Sequence, residues 1–600
     1  MRTLFASLVL FAPLVCCAAD TAATEARRLF EREWQWQLRQ QPEYATAIGE
    51  HRYDAQLSDT SLAARTAALD HAREALLDAR KIDRAQLGQE DGFSLDLFIA
   101  MRERQLAAGA FTAFDPQPIS AWDGLQLRLP RLVALMPFTN EADYRNYLGR
   151  LDALPAHVDG LIEQLRAGLA AGWSVPKVVL APVPASLHAL HENIAAGPLF
   201  APFLRIPAAI EPDARDALLD EGITALARAA ASLHRLDTYL REDYLPNARD
   251  SIGAGQLPGG ADWYAFLVRG ATTTALTPDQ VHAIGLREVA RIRAQMAALV
   301  PRTGFRGDLP RFLVFARSDP RLFPQDANTL LARYGKAVAR ARAKLPRLFT
   351  AIPEAGLAIK PMAQEGPGQP VAYYEGGSDE RSAALVVNVS QLATRPLWQV
   401  DSVALHEGLP GHHLQVARAQ ISNLPAFRRH GWVVAYGEGW ATYAEGLGEA
   451  LGFFNDPFTR FGRLNEEMLR AARLVVDTGI HAKGWSRRQA LDYLNANTAN
   501  PPDDNAAEVD RYIARPADAL AYKIGQLRII ELREMARKRL GPRFDLRRFH
   551  DAVLGGGALP LDLLGRRVEA WIVREKEAVA DAAGGVAPAS IRAGAAAGQE

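Results

Sequence analysis

A mainly α-helical fold is predicted for this 600-residue chain by three features of its sequence. Long Ala-, Leu-, Arg- and Glu-rich stretches place apolar residues at steps of three and four, the repeat of one helix face. Helix punctuation accompanies them, with Thr277-Pro278 at one start and Gly541-Pro542 after one end. β-signals are confined to one short region, residues 371–389. No internal repeat and no long linker interrupts residues 22–577, which predicts a single large multi-helical domain.

Composition agrees with a globular protein that buries a large core: 48% of residues are hydrophobic and 23% charged. Lys plus Arg equal Asp plus Glu at 69 each, so no charge excess points to nucleic acid or an anionic membrane surface.

Taken in order, the chain begins with Arg2, an apolar run over 4–15, then Cys17-Ala18-Ala19 before Asp20. A short basic region, an apolar segment and a small-x-small site make a secretory signal peptide over 1–19, too short to span a bilayer comfortably. A buried N-terminal helix is the alternative. Both cysteines, Cys16 and Cys17, lie inside this segment, so cleavage after Ala19 leaves no thiol for disulfides or metal thiolates. No later stretch is apolar enough for stable membrane insertion. The expectation is an exported, periplasmic protein, with lipid modification of Cys17 a minor alternative because Leu14-Val15-Cys16 suits lipoprotein cleavage poorly.

From 22 to about 170 the pattern is helical, clearest at 62–79 and 144–169, and 214–245 reads as another long helix. Residues 253–260 are glycine-rich, but no strand precedes them, so they read as a plain loop. Thr277-Pro278-Asp279-Gln280 has the capping-box arrangement and opens a helix to Leu299, with His282 and Glu288 on its polar face. Val371-Ala372-Tyr373-Tyr374 and Ala384-Leu385-Val386-Val387-Asn388-Val389 are β-branched and aromatic runs around Gly376-Gly377-Ser378, a hairpin signal. An edge strand there, beside the motif that follows, is able to hold an extended peptide by backbone hydrogen bonds. A further helix spans 516–540, and from 578 the chain is Ala/Gly-rich without periodicity, a predicted disordered tail.

The chemistry concentrates in His406-Glu407-Gly408-Leu409-Pro410-Gly411-His412-His413 and in Tyr436-Gly437-Glu438-Gly439-Trp440. Two His ligands, a Glu ligand and a Glu general base are the ingredients of a hydrolytic zinc site. The two His of the common motif stand four apart on one helix face. Here a step of six, to His412, turns by about 240°, and a step of seven, to His413, returns to the same face about 10 Å further on. Neither geometry serves a straight helix. Pro410-Gly411 breaks the helical pattern, so a bulge there restores the geometry. His412 is taken as the second ligand, with His413 as the alternative or as a substrate-binding or supporting residue. Glu438, 26 residues beyond His412 on a second helix, completes His406, His412 and Glu438 as the metal set, leaving a position for water. Glu445, seven further on, shares its face and either orients an imidazole or lies in solvent. Glu407 is the expected base and Tyr522 the donor to an oxyanion. Arg511 and Lys523 are assigned to a substrate carboxylate, and Asn388 and His413 join them as substrate-binding residues.

These motifs, with Glu438-Gly439-Trp440-Ala441 and Tyr522-Lys523-Ile524-Gly525, resemble the bacterial domain-of-unknown-function family 885. Pro42-Glu43-Tyr44-Ala45-Thr46 with Gly49, Leu276-Thr277-Pro278, Phe544-Asp545-Leu546 and Phe549-His550-Asp551 extend the likeness over about 30–571. The family looks similar to helical gluzincin-type zinc metallopeptidases. That resemblance implies a single mostly helical domain with a deep cleft, one Zn2+ per chain and peptidase activity on short peptides, with Glu407 as base and His406 and Glu438 as ligands. A zinc amidohydrolase or esterase, or a non-catalytic metal-containing binding protein, is the competing expectation.

Overall fold

Wherever the sequence repeats its apolar residues at helical spacing, the chain forms helices. The computed structural model describes residues 14–363, 369–378 and 381–584, and these are helical apart from loops and three short strands. The stretch at 62–79 forms Leu62–Lys81, started by Ser61, whose Oγ accepts from Ala64 N at 3.1 Å. Residues 144–169 lie within Glu141–Ala170, opened by an Asn140/Asp143 capping box. Thr277 caps Pro278–Leu299, which ends where its periodicity does. The helix expected at 214–245 is Pro212–Tyr239, continued by the π-helical turn Leu240–Tyr244.

Three boundaries differ from expectation or fall outside view. The helix expected from 516 begins at Ala521. Ala517 instead takes a left-handed conformation (φ 71°) and gives its N–H to Asp477 at 3.1 Å, which turns the chain before the helix can start. The first helix, Leu14–Gln40, begins within the expected signal segment, while residues 1–13 lie outside the described residues. The last, Leu561–Gly584, enters the expected tail, of which 585–600 lie outside the described residues.

The expected hairpin is present: β2 (Ala372–Glu375) and β3 (Ala383–Val387) pair antiparallel with Tyr374 opposite Leu385. A strand not foreseen, β1 (Leu357–Pro361), lies parallel on the other side of β3, giving the order β1-β3-β2. β3 is buried along its whole length, which is why it reads as an apolar run without alternation. Among the described residues no strand pairs with the outer edge of β2.

Two apolar clusters meet along Pro457–Lys483, a helix buried almost continuously from Phe461 to His481. Phe461, Met468 and Val475 join the cluster built on the helices between 119 and 316, whereas Leu474 faces the cluster around the sheet. Each such side chain contributes about 1.5–3 kcal/mol by burial, so this helix is fixed firmly. It also forms the wall behind the histidine motif. In front of it, Val434–Leu447 crosses Ala521–Leu540 backbone against backbone. A Cβ on Gly439 would stand 2.5 Å from Gly525 Cα, and one on Gly525 would stand 1.9 Å from the Ala435 carbonyl oxygen. Glycine at both positions is therefore a requirement of the crossing, and it brings two distant motifs into contact.

Candidate metal centre

His406 and Glu407 lie on the π-helical turn Ala404–Gly408. The chain then becomes extended at Leu409, and Gly411 N–H reaches back to the Leu405 carbonyl at 2.9 Å. A Cβ on Gly411 would stand 1.8 Å from the His406 carbonyl oxygen, so only glycine fits. A new helix, His412–Gln420, starts immediately. This break brings the imidazoles of His406 and His412, six residues apart, side by side, with ring centres 4.9 Å apart and planes at 87°. The Trp440 indole N–H donates to the Pro410 carbonyl at 2.9 Å and pins the Pro-Gly turn to the helix that carries Glu438.

His406 Nε2 and His412 Nε2 each lie 3.4 Å from Glu438 Oε2. The three ligand atoms stand within 4.8 Å of one another. A tetrahedral ion with N and O bonds of about 2.0–2.1 Å has ligand edges of about 3.4 Å, so both edges fit a zinc-sized ion. Two imidazoles and a carboxylate also match the donor set of hydrolytic zinc sites, with a fourth position left over.

Behind His406, Nδ1–H donates to Glu445 Oε1 at 2.8 Å. The Ser402 hydroxyl donates to Glu445 Oε2 at 2.6 Å, and Arg470 Nη2 lies 3.2 Å from Oε1. Glu445 is thus buried and orients an imidazole; it does not lie in solvent. His412 is held differently. Its Nδ1 is buried without a hydrogen-bond partner among the described residues, and its ring rests 5.5 Å from Trp432.

Charge is organised around these groups. Burial lowers the His406 pKa, but Glu438 and Glu445 outweigh it and raise it to about 9. Burial would raise the Glu438 carboxyl, but His412 and His406 hold it well below the usual carboxylate range. The carboxylates Glu438 and Glu445 therefore favour a positive species at His406. Glu407 is pushed up by burial, against the opposing pull of the two histidines. Its Oε2 accepts from Tyr374 N at 2.9 Å and lies 4.0 Å from His412 Nε2. Tyr522 lies nearly parallel to His406, ring centres 6.4 Å apart and planes at 13°. Burial, with Glu438 nearby, keeps its hydroxyl pKa well above the ordinary value, so the proton stays and is available for donation.

The other assigned residues fare unevenly. Arg511 is next to this region, but Glu508 holds it at 3.0 Å and Asp518 lies 3.6 Å away. Lys523 is a correction: one position after Tyr522 it is turned by about 100° around the helix. There it is buried against Glu467 (2.8 Å), Glu288 (3.1 Å) and Gln526 (2.8 Å). His413 is turned away from His412 for the same reason, with Nε2 3.0 Å from the Ala355 carbonyl oxygen and Nδ1 3.4 Å from the Tyr374 hydroxyl. Asn388 is buried at the end of β3, where Oδ1 accepts from Ser390 N and Oγ. Neither side chain is open to a substrate. The sequence reading missed Tyr374 as the support of Glu407, and missed Ser402, Arg470 and Trp432. Only Ser402, four residues before His406 and so on the same helix face, left a signal.

Solved structures share this fold, among them two candidate lipoproteins. One, of a candidate lipoprotein from Colwellia psychrerythraea, is 27% identical, with TM-score 0.85 over 93% of this chain and 99% of that one. The other, a candidate lipoprotein of unknown function from Shewanella oneidensis, is 15% identical, with TM-score 0.66 over 92% and 99%, and its likeness is one of fold alone. Residues 42–568 match the family described as bacterial protein of unknown function, DUF885. No curated protein matches the chain.

Proposed function

The chain belongs to the bacterial DUF885 family, whose function is unknown, and from that premise we propose that it is an exported zinc-dependent metallopeptidase acting on short peptides. The observation that carries this reading is the set of two histidine Nε2 atoms, each 3.4 Å from Glu438 Oε2, with a carboxylate of raised pKa, Glu407, beside them. The similarity to helical zinc peptidases rests on the same residue types and is part of the proposal.

His406, His412 and Glu438 would hold the ion. Zinc bound there supplies Lewis acidity, which polarises a scissile carbonyl and lowers the pKa of a water. Glu407 would take the proton of an attacking water and later deliver it to the leaving amine, a role that its raised pKa suits. The Tyr374 N–H fixes the orientation of Glu407. Tyr522, still protonated, donates to the oxyanion of the tetrahedral state. β2 forms the sheet edge beside Glu407, and an extended peptide as substrate suits the edge groups other than the Tyr374 N–H that Glu407 holds. Among the described residues no helix is long and apolar enough to cross a membrane. The likeness to candidate lipoproteins supports export.

The purified chain is expected to carry about one zinc and to cleave a mixed library of short peptides, with cleavage stopped by chelation. Glu407→Gln should keep the metal and lose at least roughly 10²–10⁴-fold in kcat. Zinc binding without peptide cleavage, or full activity in Glu407→Gln, overturns the reading.

A further inference from the structure

A cavity of about 840 Å3, lined in part by the Trp432 that packs on His412, is bounded by the helices Gln89–Gly109 and Gly260–Thr272, the segment 431–434 and the turn leading to Tyr522. Its size falls within the roughly 300–1,000 Å3 of small-ligand sites. Leu97, Leu267, Phe427, Trp432 and Val433 form its apolar walls. Of the charged groups at its border, Arg104 donates to the Gly270 carbonyl at 2.6 Å and Asp518 lies 3.6 Å from Arg511, while Arg269 and Asp562 stand exposed at the rim.

Trp432 links this cavity to the centre. It is 47% exposed, an unusual state for a large aromatic residue. One side of its indole rests 5.5 Å from the His412 ring. The ring also lies on the Glu438 helix at Gly437, where an added Cβ would meet Trp432 Cη2 at 2.2 Å. Val434 starts the helix of Glu438, and Asp518 starts the turn that leads to Tyr522. The cavity wall is therefore made from the same elements that position the carboxylate ligand and the phenolic donor.

We propose that this cavity is a side-chain pocket for a bulky apolar residue (Leu, Phe, Tyr or Trp) of a peptide lying across the metal centre. This specificity rests on the peptidase reading. A charged side chain would lose its hydration among the apolar walls, away from the exposed rim charges Arg269 and Asp562, whereas an aromatic side chain gains contact with Trp432.

Two measurements test it. Calorimetry on the metal-stripped full chain compares acetyl-Ala-Phe-Ala-amide with its Gly counterpart; the Phe peptide should bind roughly tenfold or more tightly. Ala100→Trp and Leu267→Trp fill the cavity from two different helices and, with wild-type-like melting, should each abolish that difference. Equal binding of the two peptides, or a preference that survives both fillings, overturns the pocket. On the zinc-loaded chain, a peptide library should be cut next to apolar residues, and cutting indifferent to side chain overturns the proposal. Selective binding with no cleavage anywhere supports the pocket and overturns the peptidase reading alone.

Discussion

Two groups of two histidines and a glutamate occur among the described residues with atoms close enough to hold an ion: His406, His412 and Glu438, and His188, His191 and Glu192. Each contains an imidazole held from behind by a buried carboxylate. Glu445 accepts from His406 Nδ1 at 2.8 Å, and Asp237 accepts from His191 Nε2 at 3.0 Å. The difference lies in origin and exposure. The first group gathers residues from a π-helical turn, a new helix and a third helix, and all are largely shielded from solvent. The second takes all three residues from one helix, Val183–Glu192, with His188 and Glu192 more than half exposed. Arg241 lies 3.4 Å from His188 Nδ1, placing a cation where an ion would have to bind. Ligand types in proximity are thus common to both, while preorganisation and a field that calls for positive charge belong to the buried group.

The largest expected contrast comes from removing one carboxylate from each group. Glu438→Gln should reduce zinc from about one per chain to background and abolish peptide cleavage, while Glu192→Gln leaves both unchanged. Elemental analysis decides, and equal losses would erase the distinction. The next contrast concerns the supporting carboxylates. Glu445→Gln should weaken zinc affinity roughly 10–100-fold at intact stoichiometry in saturating metal. Asp237→Asn should leave zinc affinity unchanged but lower stability, because Asp237 also pairs with Arg241. Competition with a chelating dye measures the first effect and thermal melting the second.

A further contrast, read in stability alone, separates buried carboxylates by their partners. Arg241 and His191 outweigh burial at Asp237 and hold its carboxyl below the usual range. At Asp477, burial prevails: with only the Tyr264 hydroxyl (2.6 Å) and Ala517 N–H as donors, its pKa rises to about 7. Between about pH 4 and pH 7 the unfolded chain has released this proton and the folded chain has kept it, so stability falls as pH rises through that window. Asp477→Asn should therefore gain on wild type by roughly 1.4 kcal/mol per pH unit from pH 4 to 7 and level off above. Denaturant titrations at pH 4.5 and 7.5 read this gain; a constant offset would refute the assignment.

Much of this was legible in the sequence. Helical periodicity and capping residues located the long helices, because those signals are local. The motif residues His406, Glu407 and Glu438 were legible because their chemistry is unusual in proximity. Lys523 and His413, assigned to substrate, are instead engaged by protein partners, because motif membership says nothing about direction and adjacent helical residues point about 100° apart. β1 was not foreseen, since five residues ending in Pro361 gain strand character only by pairing with β3, which follows them by some twenty positions. Arg470 and Tyr374 gave no signal at all: each reaches its place through packing of elements far apart along the chain.

The glycine-to-glycine crossing of Val434–Leu447 over Ala521–Leu540 has a mechanical consequence. Helices separated by side chains can tilt or draw together as those side chains change rotamer. Here the backbones already touch at Gly439 and Gly525, so the pair has no slack to take up. The remaining freedom is sliding along the contact, a shear. A rearrangement on substrate entry would therefore carry Tyr522 sideways past Glu438 at nearly fixed separation, like a vernier whose two scales never part.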